Sequence, residues 1–285
     1  MADVRVGISG WVYPAWRGGF YPDGLVHRKE LAYAADQLTS IEINGSFYAL
    51  QRPSSYAKWR DETPDGFVFA VKGGRYITHV RRLVDVETAL ANFFASGVLA
   101  LSDKLGPILW QLPPNLQFDA ERLTTFVALL PRTTTEAGVL AQRRDDKLSD
   151  DRVLTVAAVE RPLRHAIEVR HPSFAVPAAT ALAREHGIAL VVADTAGRYP
   201  RIEEPTADFV YVRLHGDIEL YASGYTDAAL DNWAAKIRGW TAAGLDVFAY
   251  FDNDAKGYAP FDAMALLHRL GDPGHSTPFS GVVGE

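Results

Sequence analysis

The feature that most constrains the fold is a set of eight short apolar runs, each of which ends in polar residues. These ends read GISGW, IEIN, FAVK, ILWQ, IEVRH, VVAD, VRLH and YFDN, at residues 7–11, 41–44, 69–72, 108–111, 167–171, 191–194, 212–215 and 250–253. Near-continuous Val, Ile, Leu and Phe is typical of parallel strands that are buried on both faces. Because predicted helices follow most of the runs, the pattern predicts an α/β fold, a TIM-like (β/α)8 barrel. The strands of such a barrel converge with their C-terminal ends on one rim.

Length and composition agree with one barrel domain over residues 1–285. The chain has 285 residues, close to the roughly 250 of this fold, and no internal linker interrupts the alternation of strands and helices. A net charge of −6 does not favour nucleic acid as a partner, and the absence of cysteine excludes disulfides and thiolate chemistry. No apolar run reaches the roughly 18 residues of a membrane span. MADVRVGIS enters a strand without a signal-peptide pattern. We therefore expect a soluble, cytoplasmic protein without a membrane partner; its protein partners stay open.

Two segments depart from the regular alternation. Residues 131–163 include the charge-dense stretch QRRDDKLSDDR, which has no periodic apolar face. This favours a solvated surface insertion before the fifth strand over a partner-binding module. The segment between Asp194 and the seventh strand is short and contains two prolines. The sixth helix is therefore predicted to be missing or vestigial, because proline breaks helices and a crossover needs a dozen or more residues.

Charged residues at the strand ends predict a cluster inside the mouth of the barrel. Residues two apart in a strand share a face, and this relates Glu42 to Asn44, Glu168 to Arg170, and Arg213 to His215. Charges that face the surrounding helices would be costly unless paired, so these side chains are expected to point inward. Glu42 and Glu168 can then pair with Arg170 and Arg213. The network either builds a site or merely fills the upper barrel with paired ions.

Four of the strand-end residues are candidates for catalysis. Lys72 can hold an anion, or form a Schiff base if burial lowers its pKa, or serve as an ion-pair partner. His215 is the first choice for a catalytic histidine, because histidine titrates near neutrality and Gly216 leaves room beside it. Asp194 is expected to act as a base or to orient His215. The candidate catalytic residues are Lys72, Glu168, Asp194 and His215.

A wider set of residues is predicted to bind the substrate. Aromatic side chains in residues 10–21 and after His215 would suit sugars, nucleosides or bases, or would plug the barrel mouth. His171 is either a loop cap or a chemical group. The candidate substrate-binding residues are Trp11, Glu42, Asn44, His79, Gln111, Arg170, His171, Arg213, Tyr225 and Asn253.

The motifs leave the cofactor unknown and favour one function over two alternatives. There is no GxxxxGK[ST], GxGxxG or GxSxG, so nucleotide cofactors and a serine-hydrolase elbow have no support. A divalent metal is left open but is not favoured, since no close-spaced metal motif occurs and no metal ligand is assigned. The favoured function is an enzyme acting on a small anionic or sugar-like substrate at the C-terminal rim. The alternatives are metal-assisted phosphodiester chemistry on nucleic acid and a non-catalytic ligand-binding protein.

Seven sequence blocks occur in the order found in one known family. They are GISGWVYPAWRGGFYP, IEINGSFY, KGGRYITH, GPILWQLPP, HAIEVRHPSF, YVRLHG and YFDND. In this combination the chain resembles the YecE-like proteins, also called domain of unknown function 72, over nearly its whole length. The resemblance implies a TIM-like barrel and supplies no reaction. The chain differs from the family's compact form at residues 131–163. It also has KGGRY at a place where a shorter and more basic run is common in the family.

Overall fold

The computed structural model describes residues 2–271, which wind parallel strands into a barrel. The strands are β1 (Val4–Ser9), β2 (Ser40–Ile43), β3 (Val68–Lys72), β4 (Leu105–Gln111), β5 (His165–Glu168), β6 (Ala189–Leu190), β7 (Val192–Asp194), β8 (Phe209–Leu214) and β9 (Asp246–Phe251). Their order is β6-β5-β4-β3-β2-β1-β9-β8-β7. Only Val191 separates β6, which pairs with β5, from β7, which pairs with β8. These two short segments therefore act as one sixth strand and bring the ends of the sheet together. The predicted TIM-like barrel is confirmed.

Helices follow most of the strands. They are α1 (Glu30–Gln37), α2 (Gly45–Tyr48), α3 (Pro53–Asp61), α4 (Glu87–Ala95), α5 (Ala120–Ala128), α6 (Thr134–Ala141), α7 (Pro177–Glu185), α8 (Asp227–Ala242) and α9 (Ala259–Leu270). Side-chain caps are present at the starts of α5, α6 and α8. Asp119 accepts a hydrogen bond from the Arg122 backbone N–H at 3.0 Å before α5, and Thr226 accepts one from Ala229 at 3.2 Å before α8. Such caps satisfy backbone donors that the first helical turn leaves free.

The two irregular segments have distinct structures. Residues 195–208 connect β7 to β8 through turns and bends, and this described segment contains no helix. Residues 131–163 differ from the expected solvated stretch because they begin with α6, whose Ala137 and Ala141 are buried. The charged part that follows lies on the surface and is tied to α4, where the Asn92 amide donates to Asp145 Oδ1 at 3.0 Å. The apolar half of TTEAGVLA explains why this segment packs.

The apolar core forms two separate clusters. The larger one contains side chains such as Val192, Val212 and Phe251, which face the helices. The smaller one fills the barrel and consists of Ala70, Leu109, Ala166, Ala189, Val191, Ala193, Phe209, Tyr211, Phe248 and Tyr250. Because side chains alternate along a strand, the residues two positions beyond this inner cluster also point inward. At the C-terminal ends of the strands these residues are polar, and the inside of the barrel changes there from apolar to charged.

Candidate active site

A cavity of about 660 Å³ opens at the C-terminal ends of the strands. Its polar lining comes from Asn44, Gln51, Lys72, Gln111, Arg170 and Asp252. Its aromatic lining comes from Trp11, Tyr13, Phe47, Tyr48, Trp59 and Tyr221. The volume lies in the range of sites for small metabolites and cofactors. The structure therefore gathers several predicted binding residues, among them Trp11, Asn44 and Gln111, around one space.

Beside the cavity, Arg213 is fully buried at the centre of the predicted charge network. Its Nη1 donates to Glu168 Oε2 at 2.7 Å, and its Nη2 donates to Glu42 Oε1 and to Asp252 Oδ2, both at 2.9 Å. A guanidinium can serve several carboxylates at once because its donors form a rigid planar fork. The arrangement neutralises charges that would otherwise be very costly in a barrel interior.

Glu168 stays ionised although it is completely buried. Burial alone would raise its pKa, but the positive charges of Arg170 and Arg213 outweigh burial and hold the pKa well below its ordinary value. Arg170 Nε contributes a hydrogen bond to Glu168 Oε1 at 2.7 Å. Glu168 is thus a paired anion beneath the cavity rather than a free base.

Lys72 differs from the rest of the network because its ammonium forms no ion pair with any residue that the structure describes. The residue is 8% exposed and lines the cavity. Its Nζ lies 4.6 Å from the centre of the Phe47 ring. Among residues 2–271, no hydrogen-bond acceptor or carboxylate pairs with it. Burial lowers the pKa of Lys72 to about 8, and the nearby charge of Arg213 acts in the same direction.

Arg170 is the second cationic group of the cavity wall. Its Nη2 donates to the Tyr221 hydroxyl at 3.2 Å, and its guanidinium stacks 5.0 Å from the centre of the Tyr199 ring. With Nε on Glu168, these contacts hold the side chain in one orientation. Its Nη1 has no partner among the described residues, so it can donate to a ligand.

His215 belongs to the charged network, and its carboxylate partner is Asp252 rather than Asp194. His215 Nδ1 lies 3.0 Å from Asp252 Oδ2, and its Nε2 lies 3.7 Å from Glu168 Oε1. The imidazole is fully buried. Asp252, which lines the cavity, is absent from the predicted site. It lies two residues beyond the inward-facing Tyr250, and side-chain alternation from Tyr250 is the signal that could have identified it.

Asp252 and Asp254 differ in protonation although they are close in sequence. Burial would raise the pKa of Asp252, but the charges of Arg213 and His215 lower it. Burial and the negative charge of Asp252 raise the pKa of Asp254 to about 9. Near neutral pH, Asp252 is a carboxylate and Asp254 is a neutral acid. The sequence prediction missed both.

Asp194, Tyr225 and Asn253 lie outside the barrel interior. Asp194 Oδ2 accepts hydrogen bonds from the Tyr225 hydroxyl and the Trp233 indole, both at 3.3 Å. The Asn253 amide donates to the Ser223 carbonyl at 2.9 Å. Side-chain alternation explains why Asp194 and Asn253 point away from the barrel interior. Val192 and Phe251, which lie two positions before them, face the helices. Asp194, Tyr225 and Asn253 support the loop after β8 and do not line the cavity.

The two loop histidines occupy different positions. His79 lies on the π-helical turn Tyr76–Val80 with its ring edge-on to Phe47, at 5.1 Å between ring centres. Burial and the charge of Arg170 lower the pKa of His79 to about 4, so its ring is neutral at pH 7. His171 Nδ1 accepts a hydrogen bond from the Ser173 backbone N–H at 3.2 Å. His171 therefore caps the turn Pro172–Phe174, as in the loop-cap alternative.

The aromatic wall depends on contacts that local sequence does not reveal. Trp11, from the loop after β1, packs edge-on against Trp59 of α3 at 5.3 Å between ring centres. Tyr48 closes α2 and is largely exposed at the rim. Trp59 was not predicted, because a helix delivers it to the cavity, whereas Tyr221 is one of the aromatic residues after His215 that were expected at the barrel mouth from the sequence.

Residues 2–271 contain neither a side-chain cluster suited to a metal ion nor a helix suited to crossing a membrane. No group of three or more His, Asp or Glu side chains within residues 2–271 is arranged to hold a metal ion. Within the same range, no helix combines the length and apolar character needed to cross a membrane.

Comparison with known proteins identifies the family. A family model described as "Protein of unknown function DUF72" matches residues 5–280. The UPF0759 protein YunF of Bacillus subtilis is 30% identical over 116 residues, which are 39% of this chain and 40% of that protein. The UPF0759 protein YecE of Escherichia coli K12 is 26% identical over 110 residues, 39% of this chain and 38% of that protein. The chain thus matches about two fifths of the length of these curated relatives.

Solved structures show the same fold at low sequence identity. A DUF72 family protein of Thermotoga maritima superposes with a TM-score of 0.74 at 23% identity, covering 94% of this chain and 99% of the other. A DUF72 family protein of Enterococcus faecalis gives 0.71 at 17% identity, covering 94% and 95%. Given the match of the family model to nearly all of its sequence, the chain belongs to the DUF72 family.

Proposed function

We propose that this protein is an enzyme that acts on a small anionic or sugar-like molecule in the cavity at the barrel mouth. The observation that carries the proposal is the ammonium of Lys72, which is buried, faces the cavity and has no anionic partner among the described residues. A buried charge without a partner is costly. A carboxylate or phosphate of a ligand would supply the missing partner, and the free Nη1 of Arg170 would donate to the same ligand.

The rest of the lining suits a polar molecule with one flat or apolar face. Trp11, Trp59 and Tyr48 offer aromatic surfaces on which a sugar ring can pack. Asn44 Oδ1 is buried without a hydrogen-bond partner among the described residues, and it would accept a bond from a ligand hydroxyl. Buried acceptors are usually satisfied, so an unsatisfied one in a cavity supports ligand binding there.

The two aspartates favour an enzyme over a binding protein. Pairs of carboxyl groups whose pKa values are pushed apart are typical of sites that use one as an acid and the other as a base. Here Asp252 is ionised and lines the cavity, while Asp254, whose pKa is raised to about 9, keeps its proton near neutral pH. A barrel mouth filled only with mutually paired ions would favour a non-catalytic protein. Lys72 and Asp254 depart from that pattern.

A binding screen tests this function. Phosphorylated sugars, acidic sugars and neutral sugars are compared by thermal shift and titration calorimetry against wild type, Lys72→Met and Arg170→Met. Anionic ligands should bind wild type about tenfold to a hundredfold more tightly than Lys72→Met, since a hydrogen bond to a charged group contributes about 1.5–3 kcal/mol. Lys58→Met is the matched control, because Lys58 on α3 is exposed and pairs with Glu62, which follows the helix.

The variants separate the possible results. Lys72→Met should remain folded, because a methionine is easier to bury than an unpaired ammonium. Equal affinity of wild type and Lys72→Met for every anionic ligand, or an absence of binding throughout, would overturn the proposal.

A further inference from the structure

We propose that Lys72 is a nucleophile that forms a Schiff base with a carbonyl carbon of the substrate. The substrate class is then a small carbonyl compound that also carries a carboxylate or phosphate. The inference rests on the proposed function, since it uses the same cavity and the same Arg170. It adds a covalent step and a chemical identity for the reacting group.

The surroundings of Lys72 leave its nitrogen free to react. Nζ faces a ring of Phe47 on one side and the cavity on the other. Every carboxylate of the network is already engaged: Glu42, Glu168 and Asp252 all accept from Arg213. Among the described residues no carboxylate forms an ion pair or a hydrogen bond with Nζ, although Glu42, Asp252 and Glu168 attract its charge from a longer distance.

A second buried lysine of the same chain shows the opposite arrangement. Lys104 is 7% exposed, almost the same as Lys72. Its ammonium donates to the carbonyl oxygens of Arg60 and Thr63, both at 2.7 Å, and to Thr63 Oγ1 at 3.2 Å. Three acceptors use all three N–H groups of an ammonium. Three hydrogen bonds thus fix Lys104 in place, whereas Lys72 donates to no acceptor among the described residues.

The lowered pKa of Lys72 agrees with the lack of acceptors around its nitrogen. Burial, with help from Arg213, lowers the pKa of Lys72 to about 8. At pH 8, Lys72 is therefore a neutral amine in about half of the molecules. Enzymes that form Schiff bases activate lysine in the same way, by desolvation and a neighbouring cation.

The covalent step balances without any oxidant or reductant. The neutral amine attacks the carbonyl carbon, a C–N bond forms, and the oxygen becomes a hydroxyl. The C–O bond then breaks as the nitrogen forms a double bond to carbon, and the oxygen leaves as water. Both hydrogens of that water come from the amine, and Asp252, the ionised carboxylate in the cavity lining, can relay them. Arg170 would hold the anionic end of the same molecule.

Reductive trapping tests the proposal directly. The full-length protein is incubated with pyruvate, glyceraldehyde 3-phosphate or neutral glyceraldehyde at about pH 8 in sodium cyanoborohydride, and adducts are located by peptide mass spectrometry. The anionic carbonyl compounds should label Lys72 and leave Lys58 and Lys104 almost unlabelled. Labelling should be absent in Lys72→Met and about tenfold slower in Arg170→Met, as expected for loss of one charge-assisted contact.

A probe that does not depend on the identity of the substrate completes the test. Trinitrobenzenesulfonate, an anionic amine reagent, should modify Lys72 before Lys58, with a half-maximal rate near pH 8. If Lys72 reacts no faster than Lys58, or if the carbonyl probes label exposed lysines equally, the proposal is overturned.

The outcomes also separate this inference from the proposed function. Lys72-dependent binding of phosphorylated or acidic sugars, without an adduct and without enhanced amine reactivity, would overturn the Schiff base and leave the anion site standing. Loss of both binding and reactivity would overturn both.

Discussion

At the scale of single residues, the most unusual feature is the neutral carboxylic acid of Asp254. Its Oδ1 is buried without a hydrogen-bond partner among the described residues. Its neighbour Asp252 is stabilised as an anion by Arg213 and His215. Two carboxylates so close together cannot both ionise cheaply. The charge of Arg213 therefore keeps Asp252 ionised, and Asp254 keeps the proton.

Asp254 should make the protein less stable as pH rises. Its pKa is about 9 in the folded chain and near 3.8 when exposed. Between these values the native state binds more protons than the unfolded state, so the free energy of unfolding falls with pH, by up to about 1.4 kcal/mol per pH unit. Urea denaturation from about pH 5 to about pH 8 should show this slope in wild type and lose it in Asp254→Asn. Lys72, with a pKa of about 8, begins to titrate at the upper end of this range, and because it does so in wild type and in Asp254→Asn alike, its contribution cancels in their comparison.

The control for this experiment is an exposed aspartate. Asp150→Asn on the surface insertion should keep the wild-type slope, since the Asp150 side chain is almost fully exposed. Other groups, such as His79, titrate in both proteins. Their contributions therefore cancel when the free energies of unfolding of wild type and Asp254→Asn are subtracted at each pH. Parallel curves for wild type and Asp254→Asn would show that Asp254 is ionised in the folded protein.

At the scale of strands and helices, hydrophobic patterning predicted the order and type of most elements. It placed Glu42, Lys72, Glu168 and Arg213 at the strand ends that form the barrel mouth. It also placed Asp194 there, because a strand buried on both faces is apolar at every position and does not show which face is inward. Only the packing of Val191 and Ala193 inside the barrel reveals that Asp194 faces outward.

Other parts of the site depend on tertiary structure rather than on any local pattern. Trp59 reaches the cavity from α3, and Tyr221 reaches it from the loop after β8. The low pKa of Lys72 depends on burial and on Arg213, which is distant in sequence. Composition and spacing contain no information about such contacts.

The loop over residues 216–225 carries Tyr221 to the cavity and is anchored by Asn253. The Asn253 amide donates to the Ser223 carbonyl at 2.9 Å and to Asp262 Oδ2 at 2.8 Å. Gly216 opens the loop at φ 125°, and a Cβ there would lie 2.3 Å from the Glu219 carbonyl oxygen. The backbone at Gly216 thus fixes how the loop begins, and the buried amide of Asn253 holds its far end in place.

Asn253→Ala should loosen this loop, although Asn253 itself does not line the cavity. Leaving the buried partners unsatisfied should cost about 1–3 kcal/mol of stability. Hydrogen–deuterium exchange should become faster in residues 216–225, and ligand affinity should fall because Tyr221 no longer holds Arg170 in place. Asn232→Ala on the exposed face of α8 is the matched control and should leave exchange unchanged. Unaltered protection of the loop in Asn253→Ala would show that Asn253 is not its anchor.

At the scale of the whole molecule, Arg213 joins strands from opposite sides of the barrel. From β8 it reaches Ser9 on β1 at 3.0 Å, Glu42 on β2, Glu168 on β5 and Asp252 just after β9. Tyr211 adds a hydrogen bond to Glu42 at 2.6 Å. Hydrophobic packing fills the lower half of the barrel, whereas this network holds the upper half. One side chain thus couples the stability of the barrel to the geometry of the site.

Arg213→Met should destabilise the entire fold. The buried Glu42 and Glu168 and the partly buried Asp252 would lose their shared cation, and removing one partner from a buried ion pair costs about 3–5 kcal/mol. Urea unfolding should show a loss of at least that size, with little dependence on salt, because buried charges are poorly screened. Arg213→Lys should recover only part of it, since an ammonium lacks the planar fork. Arg143→Met is the control, because Arg143 pairs with Glu87 on the surface and such pairs contribute less than about 1 kcal/mol. If Arg213→Met costs no more than this control, the ion network fills the upper barrel without stabilising it, and hydrophobic packing alone closes the fold.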